Sequence, residues 1–180
     1  MLIELGAATD PIRWVDGCPL PVCVSTRAPR CRLFPEVADW GDCAAKNQYY
    51  YGLHGHLLIT FDGVITGCTV TPASGDEREA LWELTEGVRG LVMGDKGFGA
   101  FLQADLATVG IDLQTPLPAN MTDPRPPWAI RQLTSARRLA ETVIGPLAEQ
   151  FHFEKIRARD VWHLTSRIPE KSWRTPGVFS

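Results

Sequence analysis

Between Tyr49 and Thr71 the chain reads as two β-rich runs joined by Asp62-Gly63, and this pattern constrains the fold more than any other. Tyr49, Tyr50, Tyr51, Leu53, Leu57, Ile59 and Thr60 are the aromatic, aliphatic and β-branched residues that suit a pleated surface. Asp and Gly both tolerate positive φ, so the pair at 62–63 predicts a tight turn. Val64 to Thr71 then returns as the second arm of an antiparallel hairpin, with about seven residues per arm.

The segments around the hairpin predict the layers that pack on it. Pro72 and Ser74-Gly75 end it, and Asp76 can cap a helix running to about Glu86, with Ala80, Leu81, Leu84 and Val88 at helical spacing. Gly90 to Asp95 is a short apolar run bounded by glycines, as expected of a buried parallel strand. Phe98 to Val109 predicts a helix stopped by Gly110, and Asp112 to Leu117 a further short strand. A proline-rich loop over 118–127 leads to a long helix from about Trp128 to Phe151. Its apolar stripe is Leu133, Ala136, Ala140, Val143, Ile144, Leu147 and Phe151. Pro146 removes the bond to the Thr142 carbonyl and predicts a bend there.

Upstream, residues 12–24 read as a first strand broken by prolines. Pro19 and Pro21 each lack an N–H, so this strand should leave the ladder near Asp16 or run along an edge there. Residues 25–48 are polar, rich in Arg and Cys and without a sustained period, and read as a long loop with a helical turn. Residues 152–168 add a strand or short helix, and the chain from Pro169 reads as a frayed tail, leaving one domain over 12–168.

Composition bounds the functional classes. No apolar stretch approaches the length of a bilayer span, and Met1 to Ala8 lacks the basic and apolar regions of a signal peptide, so a cytoplasmic, non-membrane protein is expected. Cys18, Cys23, Cys31, Cys43 and Cys68 are odd in number and contain no C-x-x-C pair; reduced, unligated thiols fit better than a disulfide framework or a zinc site. The net charge of −3 gives no global support for nucleic-acid binding. Locally, seven basic residues against three acidic ones between 125 and 159 leave +4, whereas residues 76–86 carry five acids against Arg78.

Three acids stand out by position. Asp16 lies in the first strand, just before Gly17. Asp95 lies at the C-terminal end of the buried apolar strand, and Glu141 lies beside the apolar stripe of the long helix. Open α/β sheets place ligands at the C-terminal ends of strands. Magnesium takes oxygen ligands, and two such ions can activate an attacking hydroxyl and stabilise a leaving oxygen at phosphorus. Taken singly, each acid has a plainer reading: a turn at Asp16-Gly17, an exposed turn at Gly94-Asp95-Lys96-Gly97, and an intrahelical ion pair of Glu141 with Arg137 or Arg138. His54 and His56 alternate along a strand, share a face and read as satisfied sheet residues.

Taken in order, several motifs resemble a DDE-type bacterial insertion-sequence transposase. They are Trp14-Val15-Asp16 with Pro19 and Pro21; Tyr50 to Thr60; Thr71-Pro72-Ala73 before an acidic helix; Gly94-Asp95-Lys96-Gly97-Phe98; and Arg137-Arg138 with Glu141-Thr142-Val143. The resemblance spans about 12–168, with both ends shorter than the family pattern. It implies a ribonuclease H-like α/β fold: a mixed sheet with an antiparallel hairpin and flanking helices. It implies Asp16, Asp95 and Glu141 as the catalytic, metal-binding triad, with Mg2+ as the working ion and Mn2+ as a substitute. It implies DNA as partner, both transposon ends and target, with room for a homo-oligomer, and Lys96, Arg137 and Arg138 as phosphate contacts. Cleavage at the element's end followed by strand transfer is the implied reaction. An inactive remnant with residual DNA binding, or a generic metal-dependent nuclease on the same fold, remain the alternatives.

Overall fold

In the computed structural model, residues 10–43, 47–95, 100–118, 120–149 and 163 are described. Among them, six strands form one mixed sheet with helices against its faces, an arrangement consistent with ribonuclease H-like architecture. The elements are β1 (Ile12–Cys23), β2 (Asp39–Cys43), β3 (Gln48–Thr60), β4 (Ile65–Pro72), α1 (Glu77–Leu84), β5 (Gly90–Met93), α2 (Ala100–Thr108), β6 (Ile111–Gln114) and α3 (Pro127–Glu149).

The predicted hairpin is the centre of this sheet. β3 and β4 pair antiparallel from Leu53↔Pro72 to Ile59↔Ile65, and Gly63 takes the turn with φ +80°. The first arm is longer than expected because β3 serves three partners. Its N-terminal end pairs with β2 and the remainder with β4, while β1 runs antiparallel along its other edge. β1 then joins the parallel pair β5 and β6 to give the order β2-β3-β1-β5-β6.

The prolines do not break β1, which is continuous from Ile12 to Cys23. The second expectation, a run along an edge, describes what they do. β5 covers β1 only from Ile12 to Trp14, so the strand has an open edge beyond that point. The Gly17 N–H points away from the β3 ladder and donates to the Asp16 carboxylate at 2.8 Å. Strand alternation sends the N positions of residues 19 and 21 the same way, so the missing N–H groups fall on the open edge and cost no ladder bond. Residues 25–48 also contain more than a loop: after a 3-10 turn at Ser25–Arg30, Asp39–Cys43 forms β2. Its sequence, Asp-Trp-Gly-Asp-Cys, has no β-branched residue and depends on pairing with β3.

Alternation along the strands creates two cores. One face carries Trp14, Cys18 and Leu20 of β1, Leu53, Leu57 and Ile59 of β3 and Met93 of β5, covered by Leu133, Ala136, Ala140 and Val143 of α3. The other carries Val15, Leu58, Val92, Ile111 and Leu113 beneath Leu81 and Leu84 of α1 and Leu102 and Leu106 of α2. Leu133, Ala136, Ala140, Val143 and Ile144 form the stripe predicted at helical spacing, the Leu147 side chain and Phe151 lie outside the described residues, and the helix runs on through Pro146 to Glu149. Each fully buried Leu of these layers contributes about 1.5–3 kcal/mol through removal of its side chain from water.

The capping prediction also holds, since Asp76 accepts from the Arg78 N–H at 2.9 Å and opens α1. Asp76→Ala is therefore expected to destabilise the fold by about 1 kcal/mol, measured by urea denaturation. An unchanged midpoint would show that packing of Leu81 and Leu84 holds α1 without the cap.

Residues 152–162 and 164–168 and the tail from Pro169 lie outside the described residues, as does Lys96. Among the described residues no helix is long and apolar enough to cross a membrane, and no disulfide joins any of the five cysteines.

Candidate functional site

Asp16 sits on β1 two residues beyond Trp14, and Asp95 two residues beyond Met93, the residue that pairs with Trp14 across the parallel β1–β5 ladder. The ladder itself stops at that pair, and the nearness of the two carboxylates is read from the Asp95 charge being felt at Asp16. Asp16 faces the same side as Trp14 and Cys18, because side chains two residues apart in a strand share a face. That side is the one α3 covers. Ala136 and Ala140 are buried against the sheet, and the residues one step further round the helix, Arg137 and Glu141, lie at the rim of the contact. The two small alanines let α3 approach closely enough to bring that rim over the strand ends.

Arg137 ties the arrangement together. Its Nε donates to Glu141 Oε1 at 3.2 Å, and its Nη1 lies 3.8 Å from Asp95 Oδ1. Asp16 completes the group electrostatically. Burial pushes its carboxyl from 3.8 up to about 6, against the Gly17 N–H, which lowers it. The negative fields of Asp95 and Glu141 add to the upward shift, and the Arg137 guanidinium opposes it. Acids drawn from β1, the end of β5 and α3 thus feel one another at one edge of the sheet.

A fourth acid, Glu77, approaches from α1. Burial raises its carboxyl above the ordinary range, with Asp95 and then Asp76 adding to the effect. In the sequence it is one of five acids in an apparently solvated helix. The available signal was its position in the first turn, immediately after the Asp76 cap, where the chain leaves the hairpin.

The predicted phosphate contacts divide. Arg137 is held by two carboxylates, Arg138 is exposed one residue on, and Lys96 lies outside the described residues. Of the two arginines considered as a helical partner for Glu141, Arg137 makes the bond. Arg125, which contributed to the basic segment, is engaged elsewhere. It forms a close ion pair with Asp123 at 2.6 Å and donates to Gln114 Oε1 and the Thr115 carbonyl, fastening the proline-rich loop to the end of β6.

The two histidines belong to the opposite face. His54 and His56 pair with Pro19 and Gly17, positions that alternate away from Asp16. His54 Nδ1 bonds the Tyr50 hydroxyl at 3.1 Å, His56 Nε2 bonds Thr71 Oγ1 at 2.9 Å, and the rings stack 4.8 Å apart. Burial lowers both, His56 to about 4, so they stand neutral at pH 7. The absence of a side chain at Gly17 makes room for the His54 ring. They fill the satisfied structural role expected of them.

Among the described residues, no group of three or more His, Cys, Asp or Glu side chains is already arranged to hold a metal ion. The donor chemistry does suit one. Asp16, Asp95 and Glu141 offer oxygen alone, the ligand type of a hard divalent cation, and the charges of Asp95 and Glu141 are felt at the Asp16 carboxyl.

A mixed sheet of this order flanked by helices is consistent with ribonuclease H-like architecture, and within it acids from β1, the chain just after β5 and α3 influence one another electrostatically. A family model described as a transposase DDE domain matches residues 6–161, and the chain belongs to that family. The family is associated in general with DNA substrates and divalent metals. No curated protein matches the chain.

Proposed function

We propose that this domain, over residues 12–168, is the catalytic core of a DNA transposase, cutting at element ends and joining them to target DNA. The observation that supports the reading is that Arg137 contacts both Asp95 and Glu141 while the charges of all three reach the Asp16 carboxyl. In this reading the three carboxylates hold Mg2+, with Mn2+ as a substitute. The bound ion would supply charge stabilisation at phosphorus and a lowered pKa for the attacking oxygen. The chain's own groups hold the DNA: Arg138 and Lys96 contact phosphate oxygens, which fixes position without reading sequence.

Two displacements make up the reaction. Water attacks phosphorus at the element's end, the P–O3′ bond breaks, and a 3′ hydroxyl is freed. That hydroxyl then attacks a target phosphorus, the target O3′ leaves, and the number of phosphodiester bonds is conserved in this second step. A raised carboxyl at Asp16 places its ionisation near neutrality, so activity should rise with pH through about 6 as the cluster becomes competent to bind a cation.

The test is nicking of supercoiled DNA by the purified chain with Mg2+. Cleavage in the parent, and a loss on the order of a thousandfold in Asp95→Asn, are expected, since several kcal/mol of charge stabilisation depend on the cluster and each 1.36 kcal/mol is tenfold in rate. Equal cleavage by both proteins would overturn the assignment.

A further inference from the structure

We infer that the Arg137 guanidinium is the resident counter-cation of the carboxylate cluster, displaced when a divalent ion enters, so that metal loading frees this side chain to bind phosphate. The inference rests on the proposed role of Asp16, Asp95 and Glu141 as metal ligands.

Three observations support it. First, one guanidinium spans two of the three acids, with Nε on Glu141 and Nη1 near Asp95, and its field opposes the raised carboxyl of the third, Asp16. It stands where the negative potential of the cluster is focused. A planar fork with donors on separate nitrogens can bridge two carboxylates, which a lysine ammonium on its flexible stem does less well. Second, these contacts suit exchange. Arg137, Asp95 and Glu141 side chains are each about half exposed, and the longer contact exceeds an ordinary hydrogen bond. Exposed pairs of this kind hold geometry without strong binding. Third, Arg137 already borders open space. It lines a cavity of about 350 Å³ between the proline-rich loop and α3, together with Leu117, Met121, Ile130 and Leu133. Its aliphatic stem can lie along these apolar walls while the charged head reaches solvent, without disturbing the core.

Electrostatics makes the two states exclusive. A divalent ion bound to Asp95 and Glu141 would sit within a few ångströms of the guanidinium, and like charges at that range repel. The metal carries twice the charge, so it prevails at sufficient concentration. The released guanidinium then adds a cation beside the cluster, where a DNA phosphate would arrive. Metal binding and DNA binding should therefore reinforce one another through this side chain, and linkage requires that coupling to be reciprocal.

The test is Mn2+ binding to the full chain, read from the electron paramagnetic resonance signal of free Mn2+, for the parent, Arg137→Gln, Arg137→Lys and Asp95→Asn. Thermal melts confirm that each variant is folded. Arg137→Gln should bind Mn2+ on the order of fivefold to tenfold more tightly than the parent, with Arg137→Lys, which keeps the charge but loses the bridge, between them. In parallel, Mn2+ should strengthen binding of a short duplex DNA by the parent more than by Arg137→Gln. Arg137→Gln binding Mn2+ no more tightly than the parent, while Asp95→Asn loses it, would overturn this inference and leave the metal site standing. Absence of Mn2+ binding by the parent and Arg137→Gln alike would overturn both.

Discussion

Asp16→Asn is expected to be more stable than the parent above pH 6 and to have lost DNA cleavage by a thousandfold or more. The two effects share one cause. The Asp16 carboxyl rises from 3.8 to about 6 on folding, chiefly because burial penalises its charge. The folded chain thus binds this proton more tightly than the unfolded chain. The associated stability is fully present below pH 4 and is lost as pH rises through about 6. At pH 8 the parent holds an ionised carboxylate in a place that disfavours it, at a cost of about 3 kcal/mol. Asparagine keeps the oxygen that accepts from the Gly17 N–H and removes the charge. Thermal melts at pH 8 and pH 4 test this: the variant should melt higher at pH 8, and the advantage should vanish at pH 4. The same missing charge removes a proposed cation ligand, which is the source of the activity loss. A variant that is less stable than the parent at pH 8 would mean that burial of Asp16 is not costly. A variant that still cleaves would remove Asp16 from the catalytic group.

Gly52→Ala should unfold the chain more readily than its small size suggests. Gly52 lies in β3 opposite Asp39 of β2 on one edge and Pro21 of β1 on the other. The β1 register shifts between Pro21 and Cys23, and this irregular backbone closes over the glycine. A Cβ there would collide with the Leu20 carbonyl oxygen and stand 2.9 Å from both Pro21 Cα and Val22 N. These are main-chain atoms in a sheet flanked on both edges, so they cannot rotate aside as a side chain would. Overpacking of this kind costs about 1–3 kcal/mol, and a rigid backbone contact belongs at the upper end. The melting temperature should fall by roughly 4–12 °C in a chain of this length. A fall of less than about 2 °C would show that the bulge relaxes freely.

Legibility of the fold followed the range of the forces involved. The hairpin, the Asp76 cap, the Gly110 stop and the α3 stripe were readable because each depends on residues within a few positions along the chain. Asp62-Gly63 turns wherever it is placed between two β-rich arms, and Leu133, Ala136, Ala140 and Val143 line one side of any helix. β2 was not readable. Asp39–Cys43 has little strand propensity and is extended because the N-terminal end of β3 offers it a ladder. The path of β1 through its prolines was likewise undecided until β5 proved too short to cover its second half.

The acids divide in the same manner. Their chemical types and elements were evident from the chain: Asp16 in a strand, Asp95 at a strand end, Glu141 on a helix. Their approach to one another was not, because it depends on the parallel register that aligns Trp14 with Met93 and on the close seat of Ala136 and Ala140 against the sheet. Charge at a distance is likewise invisible in a linear order of residues. Glu77 joins the edge of the site, and Arg137 answers two carboxylates rather than one, only once the packing of α1 and α3 has brought them there. Local propensity and spacing are properties of neighbouring residues and survive in the written chain. Register, burial and the field at a point are sums over residues far apart in it, and they exist only after the sheet has closed.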